Sequence, residues 1–258
     1  MEDFHVHSNY SDGEFLEGMV RAAEAAGLEG IGFADHCNVA PRDRMEWVRS
    51  VYGFNLDITY DRRRRAIEHV RAETSIDVYD AVEMDYDPRD EAEIREFLAE
   101  AEFDYAVGSV HEVAGANVQV SSQFTDRPEA ERDRIVEEYF DRLVSLIESE
   151  LFDIAAHVDL VERTKPLRGR ATENHYERVA HALAESQTVP EINAGRALTD
   201  DGIVHPAETF LETLRDHDIA VTVGTDSHAP DEIGGRADFL EAFFDDWGLE
   251  PVDPPALE

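Results

Sequence analysis

The feature that most constrains the fold is a regular alternation of short apolar runs with longer amphipathic stretches. Seven runs have β character: Glu2–Val6, Gly30–Ala34, Ile76–Val82, Asp104–Ser109, Phe152–Ala156, Thr188–Asn193 and Ile219–Gly224. Between most of them apolar residues recur at helical spacing, over Glu14–Ala26, Tyr60–Glu73, Asp90–Ala101, Pro128–Ser149, Thr172–Ser186 and Pro206–Asp216. A last helix is predicted over Ala237–Trp247. Parallel strands need long crossovers, and helices supply them, so the alternation predicts an α/β chain with a parallel sheet. Seven repeats predict closure into a distorted seven-stranded (β/α)7 barrel, with an open doubly wound sheet as the alternative. No linker or low-complexity segment divides the 258 residues. Residues 1–248 therefore read as one barrel domain, and 249–258, with Pro251, Pro254 and Pro255, as an extended, poorly ordered tail.

Polar motifs follow these runs. His5-Val6-His7 closes the first, Asp35-His36 follows the second, Glu83 the third and His111 the fourth. His157 follows the fifth, and Asp226-Ser227-His228 the seventh. The C-terminal ends of barrel strands open onto one face, so residues distant in sequence are expected to converge there. Imidazole and carboxylate are the ligands of hydrolytic metal centres. Residues two apart on a strand point the same way, so His5 and His7 can grip one ion. The two oxygens of Glu83 can bind separate ions. Taken singly, each motif has a plainer reading: a packed or solvated histidine pair, or a strand-end acid. Asp12, in Ser11-Asp12-Gly13, reads as a turn and helix N-cap when considered alone. His69, His175, His181, His205 and His217 lie within or beside predicted helices and read as surface or packing residues, and Cys37 as a small buried residue.

The charge is extreme. Asp and Glu number 59 against 23 Lys and Arg, for a net charge of -36, and Lys165 is the sole lysine. With 42% hydrophobic residues the chain still has material for a core. An acid excess in which arginine almost replaces lysine points to adaptation to high salt, which screens self-repulsion. A surface of this sign excludes nucleic acid and anionic membranes as partners. The first motif begins at His5, leaving no room for a signal peptide, and no apolar run reaches membrane-spanning length. With a single cysteine, the chain reads as a cytoplasmic protein.

Considered together, the motifs resemble the PHP (polymerase and histidinol phosphatase) superfamily. The resemblance runs from His5 to about Gly235. It rests on His5-Val6-His7-Ser8-Asn9-Tyr10-Ser11-Asp12-Gly13, Phe33-Ala34-Asp35-His36, Val82-Glu83, Gly108-Ser109-Val110-His111, Ala156-His157-Val158-Asp159 and Gly224-Thr225-Asp226-Ser227-His228. It implies a distorted seven-stranded barrel with three divalent transition-metal ions, zinc, manganese or iron. One ion would be held by His5, His7, Glu83 and Asp226, a second by Asp12, His36 and His157, and a third by Glu83, His111 and His228. Asp12 stands where some members use histidine, which raises it from cap to ligand.

Within the superfamily the chain is most similar to the histidinol-phosphate phosphatase branch, through His157–Val161, Glu191-Ile192-Asn193-Ala194-Gly195 and His205-Pro206-Ala207-Glu208. The loop after His111, Glu112–Phe124, departs from the aromatic-rich loop common in that branch. The implied reaction is hydrolysis of a small phosphate monoester, L-histidinol phosphate to L-histidinol and phosphate in histidine biosynthesis. Asp226, His228 or a bound water would protonate the leaving alkoxide. Arg163, Lys165 and Arg196 are candidates for phosphate binding or, equally, paired surface cations. The alternatives are a phosphoesterase for nucleotides or other small esters, a metal-dependent exonuclease, and a non-catalytic metal-binding module. The sequence leaves metal identity and oligomeric state open.

The salt reading makes a direct prediction. Near 0.01 M salt the Debye length is roughly 30 Å, so carboxylates across the molecule repel one another. The thermal midpoint is expected to rise steadily from low to multimolar salt. A midpoint indifferent to salt would remove the argument for salt adaptation.

Overall fold

The computed structural model describes residues 1–257. Its elements follow one another as β1 (Glu2–Val6), α1 (Leu16–Ala26), β2 (Gly30–Cys37), α2 (Asp43–Tyr52), α3 (Leu56–Arg71) and β3 (Asp77–Asp85). Next come α4 (Glu91–Ala101), β4 (Tyr105–Ser109), the small strands β5 (Glu112–Val113) and β6 (Ala116–Asn117), α5 (Glu129–Glu148) and β7 (Ile154–Ala155). The chain ends with α6 (Glu173–Ala184), β8 (Val189–Arg196), β9 (Ile203–His205), α7 (Glu208–Asp216), β10 (Thr222–Gly224) and α8 (Pro230–Trp247).

Seven strands form one curled parallel sheet in the order β1-β2-β3-β4-β7-β8-β10. Its two edges meet just beyond β10, where Val6 bridges to Ser227. The His7 amide donates to the Ser227 carbonyl (2.9 Å), and the Asp226 amide to that of His5 (2.8 Å). The sheet is thus the predicted distorted (β/α)7 barrel, closed at the residues that carry the first and last motifs. The barrel interior is filled by Phe4, Tyr105, Val107 and Ile154, while Ile192 and Val223 turn outward toward α7 and α8. Tyr105 spans the interior, its hydroxyl donating to the Phe4 carbonyl at 2.7 Å. Gly32 makes room for this ring, since a Cβ there would stand 1.6 Å from the Tyr105 oxygen. Outside, α5 buries the stripe Ile135, Val136, Tyr139, Phe140, Leu143, Leu146 and Ile147 against the sheet.

Four expectations need revision. Helix α2 was not predicted. Met45 is its one fully buried residue, so it shows no apolar stripe to read. Helix α8 starts at Pro230, ahead of the expected Ala237. Pro230 suits the first helical turn, Glu232 accepts from the amides of His228 and Ala229, and Gly234-Gly235 obscured this start. The fifth and seventh strands are shorter than their apolar runs, at Ile154–Ala155 and Thr222–Gly224. Lastly, the tail is tied down: the Val252 amide donates to the Val221 carbonyl (3.0 Å), the Ala256 amide to Asp153 (3.1 Å), and Pro254 is buried. Among the described residues no helix is long and apolar enough to cross a membrane.

One buried ion network fixes the motif-bearing turns. Arg63 of α3 is fully buried, with Nη1 2.9 Å from Asp35 Oδ2 and Nη2 2.7 Å from Asp80 Oδ1. Asp35 in turn accepts from the Ser8 amide (2.6 Å), Ser8 Oγ (2.8 Å) and Ser11 Oγ (2.8 Å). The guanidinium therefore joins β2 and β3 to the turn after β1. Removing it leaves buried Asp35 with no cationic partner and Asp80 with Arg64 alone. Arg63→Met is expected to cost about 3–5 kcal/mol and to lower the thermal midpoint by roughly 10 °C. An unchanged midpoint would mean that Asp35 and Asp80 are satisfied without it.

Candidate metal centre

All nine motif residues converge at the C-terminal mouth of the barrel. His5 on β1 and His7 just beyond it are both fully buried and turn the same way, with Nε2 atoms 3.2 Å apart. His5 Nε2 lies 3.5 Å and His7 Nε2 3.6 Å from Glu83 Oε2, and His7 Nε2 lies 3.4 Å from Asp226 Oδ1. A tetrahedron with bonds of ~2.0–2.1 Å has edges of roughly 3.3–3.4 Å. His5, His7 and Glu83 are therefore spaced as three donors to one cation, and Asp226 joins them beside His7. Glu83 Oε2 is buried among these nitrogens, with His36 Nδ1 a further 2.7 Å away but in no well-formed hydrogen bond, a position a cation would satisfy.

Two further donor groups flank the first. Asp12 Oδ1 is 3.3 Å from His228 Nε2, and Asp12 Oδ2 is 3.8 Å from His36 Nε2. On the other side Glu83 Oε1 is 3.1 Å from His157 Nε2 and 3.5 Å from His111 Nε2. His157 and His228 have thus exchanged places relative to the ligand sets implied by the resemblance: His157 faces Glu83 and His111, while His228 faces Asp12 and His36. Glu83 faces two groups through different oxygens. Asp12 does not cap α1, which begins at Leu16 with Phe15 before it. Instead Gly13 packs so tightly on β1 that a Cβ would meet the His7 carbonyl at 2.4 Å, and this close approach carries Asp12 to the barrel mouth.

The far-side nitrogens of three of the imidazoles are held as well. His5 Nδ1 is 2.9 Å from Glu191 Oε2, His111 Nδ1 is 2.5 Å from Asp85 Oδ1, and His228 Nδ1 is 3.0 Å from the Asp226 carbonyl. Such partners fix a ring's orientation and leave Nε2 for a cation. Two residues here, His157 (φ 30°) and Asp226 (φ 52°), have left-handed backbone, a strain that packing must hold.

The electrostatics follow from crowding donors in a dry place. Burial opposes ionisation of Glu83, yet His36, His111 and His5 hold its carboxyl well below the usual range. Burial likewise opposes the charge on Asp226, but His7, His5, His228 and Arg163 keep it ionised. Burial, with His228 and His36 nearby, lowers His7 to about 4. His36 is raised to about 10 against its burial by the Glu83 carboxylate.

A cavity of about 320 Å³ opens above this cluster. Arg163 and Arg196 line it, together with Arg236 and Gln119. Arg163 is the more deeply set. Its Nη1 donates to Gln119 Oε1 (2.7 Å), and its Nη2 is 3.4 Å from Asp226 Oδ2. Arg196 is exposed at the rim. Lys165 lies outside this cavity, in an adjoining depression, 3.9 Å from Asp201. His175 and His205 are buried in structural pairs, His175 with Glu137 (2.8 Å) and His205 with Asp159 (2.6 Å). Motif reasoning did not single out Glu191, Asp85, Gln119 or Arg236. Glu191 did carry a signal, as an acid inside an apolar strand run.

A barrel mouth that gathers nitrogen and oxygen donors around a shared carboxylate is the architecture of a polynuclear metal-binding site. The chain belongs to the PHP domain family, whose model matches residues 3–195. It is 28% identical over 243 residues to the histidinol-phosphatase of Lactococcus lactis subsp. lactis (strain IL1403), covering 88% of this chain and 83% of that protein. Its fold matches the crystal structure of histidinol phosphate phosphatase from Lactococcus lactis subsp. lactis Il1403, complexed with zinc, L-histidinol and phosphate. The TM-score is 0.74 at 22% identity, over 97% of this chain and 95% of that one. The hisK structure from Listeria monocytogenes matches with a TM-score of 0.77 at 17% identity, over 93% and 100% of the two chains.

Proton linkage gives a test of the centre. The folded-state pKa of His36 is raised, so its proton is present through neutral pH and must leave when Nε2 and Nδ1 are claimed by a cation and by Glu83. Cation affinity should therefore strengthen as pH rises, by up to about tenfold per pH unit for each proton displaced, and level off above about 10 for His36. Calorimetric titration of zinc in buffers of different ionisation enthalpy should show net proton release at pH 7. Zero release would contradict the charge pattern described.

Proposed function

We propose that this chain is a metal-dependent phosphoric monoester hydrolase whose substrate is L-histidinol phosphate, with L-histidinol and inorganic phosphate as products. The observation that carries the reading is the donor set His5, His7 and Glu83, spaced for one cation, with Asp226 beside His7 and Glu83 joining the set to His111 and His157. A relative that aligns over 88% of this chain, from Lactococcus lactis, is named histidinol-phosphatase, and the Lactococcus lactis fold neighbour is complexed with zinc, L-histidinol and phosphate. Three divalent transition ions are proposed, one for each donor group.

When bound, such ions lower the pKa of water toward ~7 and neutralise phosphoryl oxygens. The chain's own residues do the rest. Glu83 keeps two donor groups in fixed relation, because both of its oxygens are committed. Glu191 and Asp85 lock His5 and His111 from behind. Arg163 lines the cavity, held by Gln119 and Asp226, where its guanidinium can bind the phosphoryl group. Arg196 stands at the rim for the same charge. Lys165, exposed beside Asp201, is not needed for this role. Asp226 and His228, whose Oδ1 and Nδ1 atoms are 3.7 Å apart, border the cavity; Asp226, held ionised, would orient a water, and that water or His228 would protonate the departing alkoxide.

Phosphate release should be measured in high salt with zinc, manganese or iron, over histidinol phosphate, nucleoside monophosphates and an aryl phosphate. Histidinol phosphate is expected to give the highest kcat/KM. A nucleotide winning under matched conditions would move the assignment to another phosphoesterase with the same centre. Glu83→Gln should reduce kcat/KM by roughly 100-fold or more and loosen cations at both groups it faces. Loss of a single ion with normal turnover would exclude its bridging role.

A further inference from the structure

Helix α2 is an addition to the strand–helix repeat, inserted between β2 and α3, and it keeps its large side chains in solvent. Trp47 is 52%, Val51 54% and Tyr52 58% exposed, three of the seven large exposed hydrophobics of the described residues on one ten-residue helix. Exposed aromatics gathered in one place mark a contact surface. Here the rings form a row leading inward. Trp47 stands edge-on to Tyr52 (centroids 5.6 Å, 86°), Tyr52 lies 5.9 Å from Phe54, and Phe54 lies 4.7 Å from the imidazole of His36. The row walls a second cavity, of about 540 Å³, that shares Asp12, His36 and His111 with the donor cluster. The two walls of the barrel mouth differ in chemistry. The side bearing Arg163, Arg196 and Arg236 is cationic, while the α2 side is aromatic.

We propose that the ring row Trp47–Tyr52–Phe54 is the subsite for the leaving-group half of the substrate, and that it selects an alcohol bearing a planar ring. This rests on the hydrolase reading above and adds to it the residues that choose the alcohol. With the phosphoryl group at the donor cluster and the arginine wall, the organic group extends along the remaining wall. There a flat ring can stack on or pack edge-to-face with Trp47 and Tyr52. A ring carrying positive charge gains further from the faces of Trp47 and Tyr52. A short alkyl chain would leave the same rings in water.

The chain has two tryptophans, Trp47 and Trp247, so Trp247→Phe leaves Trp47 as the sole indole reporter. Trp247 lies at the end of α8, stacked on Phe243 and away from the cavity. In the metal-loaded Trp247→Phe protein with inorganic phosphate, L-histidinol is expected to change the emission of Trp47 saturably, and ethanolamine is not. No change, or an equal change with ethanolamine, would overturn the subsite. A kinetic arm compares histidinol phosphate with 2-aminoethyl phosphate. Trp47→Ala should lower the ratio of their kcat/KM values by about tenfold, and Trp47→Phe, which keeps a ring, should restore most of it. A ratio unchanged in Trp47→Ala would reject the role of Trp47. If the wild-type protein hydrolyses neither ester, the hydrolase reading fails, and the fluorescence titration still decides whether the row binds a ring.

Discussion

The barrel mouth depends on one buried carboxylate. Glu83 is 1% exposed and lies within 3.6 Å of nitrogens from His5, His7, His36, His111 and His157. A lone carboxylate could not be held charged at that depth. Five imidazoles drawn from β1, β2, β4 and the segment after β7 make it tenable. In return, the carboxylate draws those five strand ends, its own β3 included, toward one point. The position works because β3 runs in register with both neighbours, Glu83 opposite His36 on β2 and Val107 on β4. A slip of one residue would turn Glu83 to the other face of the sheet and replace it with an apolar neighbour, Val82 or Met84. The register that closes the barrel and the charge balance of the site are therefore a single constraint.

The strand ends were legible in the sequence because apolar runs stop abruptly at His and carboxylate residues. What it could not convey was which ligands share a group. The pairing follows sheet adjacency. Asp12, His36 and His228 come from the neighbouring β1, β2 and β10, a wedge that spans the barrel's closure. Glu83, His111 and His157 come from β3, β4 and β7, the adjacent wedge. Chain order puts His228 last and so conceals its proximity to Asp12. Only closure, through Val6 and Ser227, makes the first and last motifs neighbours. Asp12 shows the same limit at short range. Ser-Asp-Gly has the composition of a cap, and its actual direction depends on the packing of Gly13 against β1.

Helix α2 was hidden for a different reason. Sequence periodicity reports burial, so a helix that buries one residue in ten leaves almost no trace. That blindness falls where function concentrates, because a surface that contacts a substrate must be left uncovered by the rest of the chain. The buried acids that orient the imidazoles were missed for a related reason. In a chain with 59 acidic residues, one more carboxylate carries little information unless its place in an apolar run is noticed, as with Glu191.

The acidity itself poses a physical problem for an enzyme of phosphate esters, since a net charge of -36 repels an anion from every direction. Distance and screening resolve it. At physiological ionic strength the Debye length is about 8 Å, and near 1 M it is about 3 Å, so the distant surface acids contribute little inside the cavity. The local set then decides: Arg163, Arg196 and Arg236 with whatever cations the donor cluster holds. Of these, Arg163 lies in the least screened surroundings, and burial lowers its pKa even as Asp226 supports its charge. Salt therefore acts on the two terms unequally. It removes the long-range repulsion almost entirely and leaves the short, sheltered attraction of the barrel mouth largely intact. An acidic surface and an anion-binding centre are compatible in one chain provided that their charges are separated by more than a screening length, and a barrel that confines its chemistry to one recessed end supplies that separation.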